Sequence, residues 1–316
     1  DLHEQAELTM ARTEEIRRRP ASTRQLAKLR DRVLAARQAL DFAAADAVLA
    51  EIERVERDVA RDALARVEAA RETAREAVTD LAGTLEERAE NALDAKRPDE
   101  AFRHFSAAAD SFSGIDPLEP ARRRLRYFEQ LWRHGLRYGG PGLALAERMV
   151  RAALDALDET AQAWVWAVAQ NALGIALAAQ GSRTSGPEGA ALLGAAVNAY
   201  RAALRVFTEA DHPGEWAATM QNLGDALLTQ GNRTAGPEGA ALLAAAVDAF
   251  RAALRVRTEA DHPVHWATTM QNLGAALRNQ GSRTAGPEGA ALLGEAVDAY
   301  RAALRVRTEA DHPVDW

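Results

Sequence analysis

The chain has 316 residues and a formal net charge of −7, with 39 basic residues set against 46 acidic ones spread along its length. That balance excludes a dedicated nucleic-acid surface. Cysteine is absent, which excludes disulfides, thiolate metal sites and a cysteine nucleophile.

Hydrophobic residues make up 47% of the chain but aromatic ones only 5%, so the apolar material is mostly Ala, Leu and Val, which favours helix. No apolar run reaches the roughly 18 residues of a spanning helix. The opening DLHEQAELTM lacks the basic-then-apolar profile of a signal peptide. A cytoplasmic location is expected, without membrane or nucleic-acid partners. Because the first residue is not Met, the sequence is expected to be part of a longer chain.

In chain order, LDFAAADAVLAEI at 40–52 is a degenerate helix pattern. From about 56 to 93 a stretch with Val59, Val67, Val78, Leu81 and Leu85 contains no Pro and only Gly83. It predicts one long helix or an antiparallel pair, with a two-stranded coiled coil as the main alternative. AKRPDEAFRHFSAAAD at 95–110 brings Ala101, Phe105 and Ala108 onto one helical face, and GLALAERMVRAAL at 142–154 does the same with Ala146, Val150 and Ala153. Between them, RRRLR at 122–126 reads as a solvated helix face rather than a phosphate site.

From about 160 onward the pattern becomes regular. Trp166, Trp216, Trp266 and Trp316 recur at a spacing of 50, and about 40 of every 50 intervening positions match in the later copies, which signals stacked supersecondary units. In each unit a first helix, A, is marked by the stripe Trp216, Met220, Leu223 and Leu227. A second, B, carries Leu242, Leu243, Ala246, Val247, Phe250, Ala253 and Leu254 at steps of 3 and 4. The glycine-rich GSRTSGPEG (181–189), with near-copies at 231–239 and 281–289, lies between A and B. It lacks the preceding strand and the lysine of a phosphate-binding loop. Its Gly-Pro-Glu instead reads as a helix start, with Pro in the first turn and Glu at the positive helix end. TEADHP at 208–213, 258–263 and 308–313 ends helix B. His212, His262 and His312 stand one repeat apart, too far to share a metal ion, and read as turn residues.

Residues 214–263 resemble a tetratricopeptide repeat. NLGDAL at 222–227 is similar to that family's helix A signature, with Leu223 and Gly224 at its Leu-Gly pair. AAVDAFRAAL at 245–254 is similar to the helix B signature, with Ala246, Phe250 and Ala253 at its packing positions. Leu173, Gly174, Ala196, Tyr200 and Ala203 match in the copy before, and Leu273, Gly274, Ala296, Tyr300 and Ala303 in the copy after. The period is 50 instead of 34, and the surplus is assigned to the two joins. The resemblance implies an all-α fold, a right-handed α-solenoid (superhelix) of stacked antiparallel helix pairs. Its layout is similar to bacterial arrays attached to signalling or effector domains. The organisation expected is an irregular helical region at 1–116, a divergent helix pair at 117–160 and a regular array at 161–316. The array stops at Trp316, where another helix A is due, and is expected to be truncated there.

The resemblance also implies a concave groove lined by helix A. The lining positions are Val168, Asn171, Ile175, Ala178 and Ala179 in the first strong copy. The second supplies Ala218, Gln221, Asp225, Leu228 and Thr229, and the third Thr268, Gln271, Ala275, Arg278 and Asn279. Of about nine differences between the last two copies, four fall on this face, at 218, 225, 228 and 229 against 268, 275, 278 and 279. A ligand-reading array would vary in this way, and so would neutral exposed positions. Asn222 and Asn272 stand where relatives use asparagine to hold a peptide backbone; a bond to a neighbouring helix is the other reading. With no HExxH, GxSxG or histidine–carboxylate cluster, neither catalysis nor a cofactor or metal is expected. The expected function is an interaction scaffold for a protein or peptide partner, or for an adjacent domain of its own polypeptide. A self-assembling homo-oligomer module is the alternative.

Overall fold

The computed structural model describes residues 24–307. His312, Pro313 and Trp316 lie outside the described residues. Within them there are eleven α-helices and no strand, and none of those helices is long and apolar enough to cross a membrane. The chain divides into two compact units, 1–77 and 78–316.

In the first unit, α1 (Arg24–Gln38) packs on the start of α2 (Phe42–Asp94). Leu26, Leu29 and Val33 of α1 bury against Ala45, Val48 and Ile52 of α2, each set at helical spacing. The turn between them is set by Leu40 at φ 57° and by Asp41, whose Oδ1 accepts the Ala44 N–H at 2.9 Å and caps α2. The stretch at 56–93 is a single uninterrupted helix, since α2 runs for 53 residues. Within the first unit its Val59, Leu64 and Val67 are exposed.

The second unit is an array of helix pairs. α3 (Pro98–Asp110) precedes α4 (Glu119–Tyr138) and α5 (Gly142–Leu154), then α6 (Ala163–Arg183) and α7 (Gly186–Ala203). α8 (Pro213–Arg233), α9 (Gly236–Val256), α10 (Pro263–Gly281) and α11 (Gly286–Val306) complete it. The broadest packing is within α4–α5, α6–α7, α8–α9 and α10–α11. Each second helix then packs on the next first helix, in α5–α6, α7–α8 and α9–α10. The first helices α4, α6, α8 and α10 also touch one another in succession, so they form one continuous wall. One apolar core runs from Ala82 to Ala296 through every pair. The architecture is an all-α solenoid, and its stability rests on contacts between neighbours.

The surplus of the 50-residue period does not fall in the joins. α8 and α9 are each 21 residues long, and only Thr234 and Ala235 separate them. Glycine-rich GNR at 231–233 remains helical, because Gly231 serves close packing: an added Cβ would lie 3.1 Å from Leu243. The chain reverses just after it, with Gly236 at φ +68° and Pro in the first turn of α9.

Pair geometry depends on the glycine of the Leu-Gly signature. A Cβ on Gly174, Gly224 or Gly274 would approach the ring of Tyr200, Phe250 or Tyr300 to 2.5, 2.7 or 2.9 Å. The aromatic of helix B therefore lies flat against the backbone of helix A. Gly224→Ala is expected to cost about 1–3 kcal/mol through overpacking, although Ala is the better helix former. Gly194, whose added Cβ would meet only Gln230 Nε2 at 3.8 Å, should gain about 0.5–1 kcal/mol on conversion to Ala. Urea midpoints followed by circular dichroism distinguish the two; the same response from both would remove the packing explanation.

Candidate functional site

Two ladders outside the wall fix the spacing of the first helices. Arg233 Nη1 donates to the carbonyl oxygens of Gly181 and Thr184 at 2.7 and 2.9 Å, and Nη2 donates to Ser182 O at 2.5 Å. Arg283 repeats this on Gly231, Thr234 and Asn232 at 2.8, 3.0 and 3.2 Å. Arg183 does so on Gly135 and Leu136 at 2.8 and 2.9 Å. Each arginine thus brings a charged donor to carbonyls at the end of the preceding first helix, among them Gly135, Gly181 and Gly231, which also accept a backbone N–H from Gly139, Thr184 and Thr234 at 3.0, 3.3 and 3.3 Å. At the other end of each pair, Arg205, Arg255 and Arg305 pair with Glu159, Glu209 and Glu259 at 2.8, 2.7 and 3.0 Å. The same guanidiniums lie over the rings of Trp166, Trp216 and Trp266, 5.3, 5.1 and 5.7 Å from their centroids. Arg255, by its hydrogen bond, holds the Glu209 carboxyl below the ordinary range. This accounts for the recurrence from Trp166 to Trp266: a ring, buried at Trp166 and half-buried at Trp216 and Trp266, roofed by an ion pair joining the end of helix B to the join before helix A.

The arginine ladder also sets the register of the divergent pair. Gly135 takes the place of Gly181 and Gly231, so Tyr127 and Leu131 match Leu173 and Leu177, and all four are buried. The wall then carries one column of Glu129, Ile175, Asp225 and Ala275, and a second of Trp132, Ala178, Leu228 and Arg278. Of the predicted lining residues, Asn171, Ile175, Ala218, Gln221, Asn222, Asp225, Leu228, Thr229, Thr268, Asn272, Ala275 and Asn279 are half-buried. Gln271 and Arg278 are exposed.

Two cavities open along this wall. One of about 290 Å³ lies between α4 and α6, lined by Leu125, Phe128, Glu129, Trp132, Val168, Asn171, Ala172 and Ile175. The next, of about 200 Å³, shares Trp132 and Ile175 and adds Ala178, Ala179, Ser182, Tyr200, Asn222, Asp225, Ala226 and Thr229. The structure thus brings Asn171 and Ile175 together with Asn222, Asp225 and Thr229. Sequence reasoning missed Trp132 and Tyr200. Trp132 lies in the divergent pair, where register became legible only through the arginine ladder. Tyr200 belongs to helix B, and it reaches the wall because Gly174 has no side chain.

Several predicted lining residues are bound to their neighbours. Asn222 Nδ2 donates to Asn171 Oδ1 at 3.2 Å, Asn272 Nδ2 to Asp225 Oδ1 at 2.8 Å, and Asn279 Nδ2 to Asn232 Oδ1 at 2.9 Å. Gln221 Oε1 accepts from Thr269 Oγ1 at 2.8 Å and also from Arg257 Nη1. Arg307 Nη1 and Nη2 donate to Gln271 Oε1 and Thr268 Oγ1, both at 2.5 Å. The asparagines before the Leu-Gly pair therefore bridge successive first helices.

Asp225 differs from these amides. Its carboxyl is mostly withdrawn from water, and that burial pushes its pKa up to about 7. Burial first, and the nearby Asp225 carboxylate second, raise Tyr200 above the ordinary tyrosine range. The arginines of RRRLR are all engaged: Arg123 bonds Glu86, Glu119 and Tyr127, Arg124 bonds Asp110, and Arg122 and Arg126 lie 3.9 and 3.7 Å from Asp116 and Glu119. His212 and His262 are turn residues, their carbonyls accepting from Trp216 and Trp266 N–H at 2.8 Å. Among the described residues no group of three or more His, Asp or Glu side chains is placed to hold a metal ion.

Asp225 imposes a pH dependence whose sign is fixed. Its folded value lies above the ordinary carboxylate value, so the native state keeps a proton that the unfolded chain has released. The associated stability is fully present near pH 4 and is lost as pH rises through 7. Relative to Asp225→Asn, the wild type should lose on the order of 2–4 kcal/mol between pH 4 and pH 8. Urea midpoints of both proteins across that range check this; parallel profiles would mean that the carboxylate is not held away from water. No protein-family model and no curated protein matches this chain.

Proposed function

We propose that this chain is a non-catalytic scaffold of the tetratricopeptide type, which holds a protein or peptide segment along the wall formed by α4, α6, α8 and α10. The observation that carries this reading is variation on a fixed frame. The residues that space the helices repeat almost unchanged, Arg233 and Arg283, Glu209 and Glu259, Trp216 and Trp266. The wall columns meanwhile run Glu129, Ile175, Asp225, Ala275 and Trp132, Ala178, Leu228, Arg278. Cavities of about 290 and 200 Å³ accompany the variable columns and offer recesses for side chains of a bound segment. Using the chain as bait, the combined substitution Val168→Glu and Arg278→Glu is expected to lower partner capture at least tenfold with the helical circular dichroism signal intact. Unchanged capture would overturn the choice of this wall.

Self-assembly is the second reading, and one face favours it. On α11, Leu293, Val297 and Leu304 are 39, 46 and 51% exposed, whereas Leu243 and Val247 in the equivalent places on α9 are 0 and 3% exposed beneath α10. The face that α10 covers on α9 is uncovered on α11, and in the self-assembly reading it is where a second copy would dock. If copies pair there, the mass from light scattering should rise with concentration, and Leu293→Asp with Val297→Asp should return it to that of one chain. A concentration-independent monomer in the wild type would exclude this reading.

A further inference from the structure

The carboxylate of Asp225 is a cost that the fold does not require. The same column holds Ile175 one repeat earlier and Ala275 one repeat later, so the helix packing accepts an apolar residue there. Burying an ionisable carboxyl away from water is unfavourable unless the charge is matched. Asp225 has no ion-pair partner among the described residues. Its side chain accepts one hydrogen bond, from Asn272 Nδ2 to Oδ1 at 2.8 Å, and Oδ2 accepts none. It is also the one carboxylate lining the cavity of about 200 Å³.

The rest of that lining indicates what the carboxylate is matched to. Trp132 contributes aromatic surface, which attracts cations. Ile175, Ala178 and Ala179 contribute an apolar wall that suits an alkyl stem. Asn272 takes one acceptor position of Oδ1, which leaves the carboxylate able to bind a cation. A guanidinium on its stem is larger than an ammonium on its stem, so the size of the cavity, not the number of free oxygens, favours the ammonium, a compact charge with rotatable donors. At about 30 Å³ per water-sized group, a four-carbon stem with its nitrogen needs about 150 Å³, within the roughly 200 Å³ present.

We propose that the cavity between α6 and α8 receives a lysine side chain of the segment bound along the wall, with its ammonium on Asp225 Oδ2 and its stem against Ile175 and Ala178. This rests on the scaffold reading above and gives the bound segment a required chemistry. The half-buried carboxylate has already lost part of its hydration in the fold, so a cation arriving there adds less desolvation than at a fully exposed carboxylate.

The probe is N-acetyl-lysine methylamide, titrated into the full chain while the Ile175 methyl resonance is followed by NMR. Saturable shifts are expected, with affinity at least tenfold weaker for the Nζ-acetylated lysine and the arginine counterparts. Asp225→Asn should abolish the preference for lysine, with circular dichroism confirming its fold. Equal shifts from the neutral analogue, a comparison that needs no variant, would overturn the proposal, as would wild-type selectivity in Asp225→Asn. If the lysine probe fails while Val168→Glu with Arg278→Glu abolishes partner capture, only the ammonium site falls. If the probe binds and capture is unaffected, the ammonium site stands and the wall is not where partners dock.

Discussion

The three regular pairs of the array depend on how closely one helix lies on the other at a residue without a side chain. With Gly174, Gly224 and Gly274 under the rings of Tyr200, Phe250 and Tyr300, helix A and helix B share a flat contact that no larger residue permits. That contact places Leu223 and Leu227 opposite Ala246 and Phe250 in one core, and it leaves the opposite side of helix A facing outward. The wall exists because its back is sealed in this way. Tyr200 ties packing to the cavity, since its ring closes the pair on Gly174 and also lines the cavity beside Asp225.

Translation from pair to pair is fixed by polar contacts. Arginine side chains reach the carbonyl ends of preceding first helices, while the Glu–Arg–Trp sets tie the end of helix B to the start of helix A within each pair. Hydrogen bonds from a charged donor contribute about 1.5–3 kcal/mol each, whereas exposed ion pairs contribute under about 1 kcal/mol. The arginine caps therefore dominate the spacing, and the outer ion pairs mainly orient the tryptophans. Asparagine bridges add a third set of links, from one first helix to the next along the wall. A wall held from both edges and along its length can vary in two columns without losing its pitch.

Much of this was legible in the residues. The Trp recurrence at 50, the stripes of helices A and B and the Gly-Pro-Glu helix start all read correctly, because each is a local pattern with a local physical cause. What misled was the glycine of GNR and GSR, which suggests a loop by composition and is instead helical. Its reason is a contact with Leu243 from the other helix, which local pattern does not contain.

By itself the sequence determined the helical class, the repeat and the alternation of helices A and B, because periodicity and turn chemistry act over a few residues. Tertiary structure alone decided which side chains meet across repeats. It gave Arg233 and Arg283 their carbonyl partners about 50 residues back, and set Trp132 beside Ile175 and Asp225. It also turned Asn222 and Asn272 into bridges between successive first helices. The reason is distance along the chain: contacts between residues a full repeat apart depend on how the pairs stack, and stacking is settled by the packing of whole faces rather than by any short run of residues.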